Sequence, residues 1–276
     1  MKTDVTIEST VDRSREKEAF ARLLDIMDLL REKCPWDHKQ TFGSLRPQTI
    51  EETYELCEAI LNGDLKNISK ELGDVLLHIV FYAKLGKEQE AFDITDVINL
   101  LCEKLIYRHP HVFGDAVASS AGEVVKNWEQ LKRTEKDGNK TVLAGVPVTL
   151  PPLIKAYRMQ DKARAVGFDW EKKEDVWGKV AEELGEFNAE LSRMDSSDPA
   201  SRDAAEGELG DLLFSIVNAA RLYDLNPDTA LERTCTKFRN RFTYVEEAGK
   251  SAGRDLREMT LAEMDALWEE AKTKGL

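Results

Sequence analysis

The residues of this sequence that are best suited to chemistry are glutamates and aspartates that recur in one pattern in both halves. In the first half, Glu-Glu-x-x-Glu at residues 51–55 is followed by Glu-Leu-Gly-Asp at residues 71–74. In the second half, the corresponding motifs occupy residues 182–186 and 208–211, and each second motif continues into an apolar run. Two carboxylates about 4 Å apart repel by roughly 4 kcal/mol at an effective dielectric constant near 20. Such clusters persist when cations neutralise them or their pKa values rise, so the pattern indicates a divalent metal site that is present twice.

The spacing of the acids predicts that two helices build each site. Residues three or four apart lie on one face of a helix, and Glu52 with Glu55 and Glu71 with Asp74 are such neighbours. A short turn at residues 62–64 would bring two antiparallel helices together and offer oxygen ligands from both sides. Carboxylates without His or Cys favour hard ions, Mg²⁺ and also Mn²⁺. The candidate metal ligands are Glu52, Glu55, Glu71 and Asp74 in the first half and Glu183, Glu186, Glu208 and Asp211 in the second.

Two alternatives to this interpretation are a solvated acidic face and a di-iron site. Acidic residues at helical spacing usually form solvated faces, but here two motifs lie at hairpin distance beside apolar runs and the arrangement is repeated. Di-iron bundles use Glu-x-x-His motifs, and no histidine stands three residues after a glutamate in these segments. We therefore expect His78, four residues after Asp74, to be a core residue or a residue that contacts a metal ligand, and not a ligand itself.

The bulk composition indicates a globular protein with acidic character. A net charge of −13 and a pI near 5.0 argue against nucleic acid or an anionic membrane as the main partner. The four cysteines lack metal-ligand spacing, which favours reduced thiols. No apolar run reaches the roughly 18 residues of a membrane span. We expect a cytoplasmic protein.

Apolar residues recur at helical spacing along almost the whole chain, and convincing strand alternation is absent. We therefore predict an all-α fold of two tandem, related helical-bundle domains, at residues 14–136 and 153–276, joined by a linker at residues 137–152 that contains Gly and Pro. In each half the acids are followed by a basic pair and a tryptophan, which are Lys104, Arg108 and Trp128 in the first and Lys237, Arg241 and Trp268 in the second.

Taken together, these motifs resemble those of the MazG nucleoside triphosphate pyrophosphohydrolases. The resemblance extends from about Phe20 to Trp268 and also includes Cys-Pro-Trp-Asp at residues 34–37, Arg-His-Pro-His-Val-Phe at 108–113, Val-Gly-Phe-Asp-Trp at 166–170 and Lys-Phe-Arg-Asn-Arg-Phe at 237–242. It implies Mg²⁺-dependent hydrolysis of ribo- and deoxynucleoside triphosphates to the monophosphate and pyrophosphate. It further implies broad base tolerance, tandem four-helix-type domains and a homodimer.

The resemblance also implies roles for individual residues. The eight acids named above would bind metal. The nucleotide would lie against Lys179, Glu182, Lys237, Arg241 and Trp268 in the second domain and against Glu51, Lys104, Arg108 and Trp128 in the first. The first domain has Gln48 where the second has Lys179, and the second has Ala-Ala-Glu-Gly at residues 204–207, where relatives can carry a lysine. Our hypothesis is that the second domain carries most of the activity.

The charges suggest a mechanism in which Lys179, Lys237 and Arg241 hold the β- and γ-phosphates. Glu182 is the candidate that accepts the proton of the attacking water, and a further metal ligand is its alternative role. Lys237 and Arg241 could instead form surface ion pairs with Glu246 or Glu232. Trp268 could stack on the base or be a packing anchor.

A different class of function is compatible with the same features. The amphipathic helices, the linker and the diverged first domain would also suit a catalytically weak helical module for dimerisation or regulation, in which the acidic clusters bind metal structurally. The products formed from a deoxynucleoside triphosphate and Mg²⁺ distinguish the two functions.

Overall fold

In the computed structural model, which describes residues 11–120, 122–124, 131 and 141–276, every regular element is a helix. The all-α prediction is confirmed. The chain divides into two compact units, Met1–Leu131 and Lys132–Leu276, here called unit 1 and unit 2. The predicted domain bounds at residues 14–136 and 153–276 remain predictions. No helix within the described ranges is long and apolar enough to cross a membrane.

Unit 1 is built around a hairpin of two long helices. Its helices are α1 Ser14–Lys33, α2 Phe42–Asn62, α3 Leu65–Glu88, α4 Ile94–Arg108 and the single turn α5 Pro110–Phe113. Thr41 caps α2 in a capping box, and Gly63 ends α2 with a φ of 65°, where a Cβ would be strained. The Asp64 carboxylate caps α3 immediately afterwards. These local signals turn the chain through the predicted short loop and make α2 and α3 antiparallel neighbours.

The core of unit 1 lies between α1, α2 and α3. Met27, Leu45, Val80, Phe81 and Leu85 are nearly inaccessible and contact one another there. The core therefore occupies one side of the hairpin and leaves the other side of α3 uncovered.

Unit 2 repeats the long hairpin. Its helices are α6 Pro152–Arg164, α7 Val176–Arg193, α8 Pro199–Leu222, α9 Pro227–Ser251 and α10 Leu261–Thr273. Pro227 stands in the first turn of α9 after the capping Asn226, where proline is favoured because its missing N–H needs no partner. The loop before α7 is anchored to α8 by a partly buried bidentate ion pair between Arg221 and Asp169. The ends of α7 and α8 are thereby held against each other.

Two predicted helix starts in unit 2 are corrected. The helical spacing of apolar residues predicts helices that begin at about Lys173 and at Ala204, but residues 173–175 form a separate 3₁₀ turn and α8 begins at Pro199. Proline suits the first turn of a helix because its missing N–H needs no partner, and the Asp198 carboxylate accepts a bond from the N–H of Ala200. A segment that looks like a polar loop is thus partly a helix start.

The apolar stripe after the first Glu-Leu-Gly-Asp motif is also corrected. The helical spacing of the apolar residues in α3 predicts a buried stripe of Ile68, Leu72, Val75, Ile79 and Ala83. Ala83 is buried and Ile68 and Val75 are half-buried, but Leu72 and Ile79 are exposed, as is the adjacent Leu76. The matching positions of α8, Leu209, Leu213 and Ile216, are exposed as well. The hairpin core uses a different side of each helix, so the same apolar face remains uncovered in both units.

Candidate functional site

The two hairpins bring acids together as their spacing predicts. In unit 1, Glu52 and Glu55 of α2 and Glu71 of α3 each place a carboxylate oxygen within 4.8 Å of the others. In unit 2, Glu183 and Glu186 of α7 meet Glu208 of α8 in the same way. Asp74 and Asp211, the fourth predicted ligand of each set, are not members of these two triplets. We call the triplets cluster 1 and cluster 2.

Glu71 is the most unusual member of cluster 1. The residue is only 1% exposed, and its Oε2 atom is buried without a hydrogen-bond partner among the described residues. Removing a charged oxygen from water without a partner is costly, and a cation at this position would offset that cost. The ionised form of Glu52 is also disfavoured, because burial and the charges of Asp74 and Glu55 raise the pKa of its carboxyl group.

Lys70 is a residue of cluster 1 that was not predicted from the sequence. Its Nζ atom lies 2.8 Å from Oε1 of Glu71 and 3.8 Å from Oδ2 of Asp74. The hydrogen bond from Lys70 to Glu71 raises the pKa of the ammonium group. Neighbouring residues on a helix do not face each other, and the contact depends on the length of the lysine side chain. Its only sequence signal was a basic residue directly before the acidic motif.

In cluster 2 the corresponding charge is Lys179, for which the resemblance implies a contact with the nucleotide. Its Nζ atom lies 2.6 Å from Oε1 of the buried Glu183 and 3.0 Å from Oε1 of the exposed Glu182. These hydrogen bonds raise the pKa of Lys179. Burial and the charge of Glu183 raise the pKa of Glu186, while Lys179 opposes the increase. Lys179, Glu182 and Glu183 thus form one connected group at the cluster.

Both clusters fit a hard divalent cation. All six converging side chains offer carboxylate oxygens from two helices, which is the donor set that Mg²⁺ and Mn²⁺ prefer. The unpaired oxygen of Glu71 adds a donor with no other use in the described part of unit 1. In each unit, three of the four predicted metal ligands therefore converge.

The predicted basic residues and tryptophans lie on other helices. Arg241 of α9 donates from Nε to the main-chain oxygen of Leu276, 2.7 Å away, and its guanidinium carbon lies 5.7 Å from the ring centre of Trp268. Trp268 of α10 also packs against Phe238, with ring centres 5.1 Å apart. Lys237 is exposed on α9. The surface ion pairs considered for Lys237 and Arg241 do not occur within the described residues.

The equivalent residues of unit 1 lie on α4 and beside Glu52. Lys104 is exposed on α4, and Arg108 is half-buried in the last turn of the same helix. Trp128 lies outside the described residues. Glu51 is exposed beside Glu52 and contributes to the raised pKa of that carboxyl group. Their predicted contacts with a nucleotide remain predictions.

A polar network supports cluster 1 from inside the hairpin. Thr49 of α2 lies one turn before Glu52, and its hydroxyl is 3.0 Å from Nδ1 of His78 and 2.6 Å from the hydroxyl of Tyr82. Burial lowers the pKa of His78, and the charge of Asp74 opposes this shift. His78 is therefore a hydrogen-bonded core residue, as expected. Thr49 and Tyr82 were not predicted as part of this site, because the sequence holds no signal that distinguishes them.

Comparisons with known proteins agree with this arrangement. A family model described as the MazG nucleotide pyrophosphohydrolase domain matches residues 40–113 and 172–245, and the two matches contain cluster 1 and cluster 2 respectively. The chain is 44% identical over 256 residues to the nucleoside triphosphate pyrophosphohydrolase/pyrophosphatase MazG of Thermotoga maritima, covering 92% of this chain and 95% of that protein. It is 39% identical over 260 residues to the nucleoside triphosphate pyrophosphohydrolase of Escherichia coli K12, covering 92% and 97%.

A third relative has a different extent. The uncharacterized protein YabN of Bacillus subtilis is 46% identical over 240 residues, which is 87% of this chain but 48% of that protein. With the family model matched in both units and two relatives covered almost completely, the chain belongs to the family of MazG nucleotide pyrophosphohydrolases.

Proposed function

We propose that the chain hydrolyses ribo- and deoxynucleoside triphosphates between the α- and β-phosphates in the presence of Mg²⁺, releasing the monophosphate and pyrophosphate. The observation that carries the proposal is the repeated convergence of three carboxylates from two helices, with a buried, unpaired oxygen in one cluster. A triphosphate brings about four negative charges, so it approaches these carboxylates only together with cations. Family membership supports the choice of a nucleotide as substrate.

The acidic side chains of unit 2 would have two roles, metal binding and proton acceptance. Glu183, Glu186 and Glu208 would hold the cation, with Asp211 joining them one turn beyond Glu208. When bound, the cation supplies charge neutralisation for the triphosphate and acidifies the attacking water. The exposed carboxylate of Glu182 lies beside the cluster and would accept the proton of that water.

The positive groups of unit 2 would bind the departing pyrophosphate. Lys179 lies at the cluster already, and Lys237 and Arg241 would approach the β- and γ-phosphates from α9. The bond from Arg241 to Leu276 uses Nε, which leaves the terminal guanidinium nitrogens to meet phosphate oxygens. Trp268 would present its ring face to the base, and every base has such a face, so broad base tolerance follows.

We assign the main activity to unit 2. Lys179 has Gln48 at its matching position in unit 1, so the α2 face of cluster 1 lacks this phosphate-binding group. Unit 2 also combines Arg241 and Trp268 in one contact. Unit 1 would bind metal and nucleotide through Glu52, Glu55, Glu71 and Asp74 with weaker turnover.

We further propose a cytoplasmic homodimer that does not act on nucleic acid. Two exposed apolar stripes occupy matching positions in the two units, Leu72–Leu76–Ile79 and Leu209–Leu213–Ile216. In a homodimer, a second copy of the chain would cover them. The net charge of −13 disfavours a polyanionic partner. Light scattering should give twice the chain mass for the parent protein, and Leu213→Glu should shift that mass toward the monomer.

The experiment that tests the reaction separates the products. We expect dATP or dGTP with Mg²⁺ to yield the monophosphate and pyrophosphate, whereas orthophosphate would place the cleaved bond elsewhere. Glu183→Ala should reduce kcat/KM at least about a hundredfold, and Glu52→Ala should reduce it much less. Glu174→Gln, which removes an exposed charge of unit 2 outside the cluster, is the matched control.

Two outcomes would overturn parts of the proposal. If Glu52→Ala alone abolishes turnover, the assignment of the main activity to unit 2 is reversed. If the protein binds Mn²⁺ but turns over no nucleoside triphosphate, the regulatory module with structural metal binding replaces the enzyme.

A further inference from the structure

Each acidic cluster contains one lysine ammonium group, but the two lysines come from opposite helices of the hairpin. In cluster 1 it is Lys70, on the second helix, and in cluster 2 it is Lys179, on the first helix. The matching positions of the other unit hold Gly207 and Gln48, so neither unit carries both lysines. The acids therefore occupy matching positions in the two units, whereas the lysine lies on the second helix of the hairpin in unit 1 and on the first helix in unit 2.

We propose that Lys70 and Lys179, although they lie on opposite helices of their hairpins, are both built-in counter-cations, which neutralise the cluster in the metal-free protein and bind a substrate phosphate once a divalent cation takes the carboxylates. The proposal rests on the proposed function and adds Lys70 as a phosphate-binding residue of unit 1. It also implies that a divalent cation must compete with the protein's own ammonium group in both units.

The contacts of Lys70 support a position inside the cluster. Its Nζ atom bonds Glu71 and approaches Asp74, and the charge of Glu55 on the opposite helix also acts on it. The Glu71 side chain is 2% exposed, whereas the Lys70 side chain is 63% exposed. The Glu71 carboxylate is therefore held in place by its surroundings, whereas the Lys70 side chain extends into solvent. Lys70 is thus the partner of the pair that can move.

Electrostatics decides the direction of the effect on metal binding. A divalent ion and an ammonium group about 5 Å apart repel strongly enough to change affinity by about tenfold even at the dielectric constant of water. A lysine that swings away avoids part of this repulsion but gives up its ion pair with Glu71. In both cases, removing the ammonium group strengthens metal binding.

An ordinary structural ion pair predicts something else. If Lys70 only stabilises the helix, its loss leaves a buried, unpaired carboxylate and lowers the stability of the metal-free protein. The affinity for a triphosphate would not change in that case. A combined measurement of metal and nucleotide binding therefore separates the two roles.

The test uses the full chain with cluster 2 disabled by Glu183→Gln and Glu186→Gln. In this background, Mn²⁺ binding is measured by electron paramagnetic resonance with and without Lys70→Met. Binding of a non-hydrolysable nucleoside triphosphate is then measured at saturating Mn²⁺. We expect Lys70→Met to tighten Mn²⁺ binding about tenfold, equivalent to about 1.4 kcal/mol, and to weaken triphosphate binding by a similar factor.

Two further variants make the test specific. Lys66→Met removes the same charge from an exposed position one turn earlier in α3 and should leave both affinities unchanged. Adding Gln48→Lys to Lys70→Met moves the ammonium to the side used in unit 2 and should restore both parental affinities. Circular dichroism confirms that each variant is folded.

The outcomes separate this proposal from the proposed function. Unchanged or weaker Mn²⁺ binding in Lys70→Met, or failure of Gln48→Lys to restore triphosphate binding, overturns the role of the lysines while leaving the metal sites intact. If the parent protein itself binds neither Mn²⁺ nor triphosphate, the proposed function has failed and the lysine proposal fails with it.

Discussion

Replacing Glu52 with glutamine should stabilise the metal-free protein, although it removes a metal ligand. The oxygens of cluster 1 lie within 4.8 Å of one another. At that separation two unit charges repel by about 0.9 kcal/mol in water and by about 3.5 kcal/mol at a dielectric constant of 20. Glu52 is half-buried, and Lys70 offsets part of the negative charge. We therefore expect a gain of about 1–2 kcal/mol in the free energy of unfolding, or roughly 3–8 °C in Tm.

Addition of Mg²⁺ should reverse this order. A ligand at a hundred times its Kd stabilises the folded state by about 2.7 kcal/mol, and the parent protein receives this increment in full. Glu52→Gln binds the ion more weakly and receives less. The variant should thus melt above the parent in EDTA and below it in saturating Mg²⁺.

Differential scanning calorimetry of the full chain in the two buffers measures the crossover. Glu186→Gln in unit 2 should show the same behaviour, whereas Glu18→Gln on the exposed face of α1 should not. A Glu52→Gln protein that melts below the parent in EDTA would refute the electrostatic reasoning, because the carboxylate would then be stabilising without metal.

Three other predictions concern pH, the loop anchor and the aromatic contact. Burial and neighbouring charges raise the pKa values of the Glu52 and Glu186 carboxyl groups, so folding favours their protonated forms. As the pH rises above about 4.5 these groups ionise, and the parent protein loses that stability. The difference in Tm between Glu52→Gln and the parent in EDTA should therefore increase with pH over that range. Arg221→Met leaves Asp169 unpaired and should cost about 2–4 kcal/mol in urea denaturation, and combining it with Asp169→Leu should cost less than the sum; additive losses would show that the ion pair is not coupled. Trp268→Ala should raise KM severalfold for all four bases with little change in kcat; a lower Tm with an unchanged KM would make Trp268 a packing anchor only.

The parts of the site that follow from local signals were predictable. Helical spacing puts Glu52 and Glu55 on one face whatever the tertiary structure, and Gly63 with Asp64 defines a turn too short for anything but an antiparallel hairpin. Convergence with Glu71 then follows from the register of the two helices. Pro227 marked the start of α9 for an equally local reason.

The parts that depend on distant packing were not predictable. Amphipathic spacing shows that Leu72, Leu76 and Ile79 share a face, but not whether this face meets the core or remains for another partner. The contact of Arg241 with Leu276 joins positions that share no motif. The Lys70 contact depends on a side-chain rotamer, which adjacency in the sequence does not determine.

The interior of the hairpins differs more between the units than the clusters do. In unit 1, Thr49, His78 and Tyr82 form a hydrogen-bonded group, whereas the matching positions in unit 2 hold Val180, Ser215 and Ala219. Ser215 instead bonds the main-chain oxygen of Leu212 within its own helix.

In unit 2, a third helix, α6, forms a hydrogen bond to the main chain of α8. Gln160 of α6 donates from Nε2 to the main-chain oxygen of Phe214 at 2.8 Å. Two unlike interiors thus support the same arrangement of three carboxylates, so the positions of the acids follow from the helix-hairpin geometry and do not require one particular set of interior residues. The acids can therefore stay in register while the supporting residues and the lysine change, and differences in activity between the units should follow the lysine and the basic helix rather than the carboxylates.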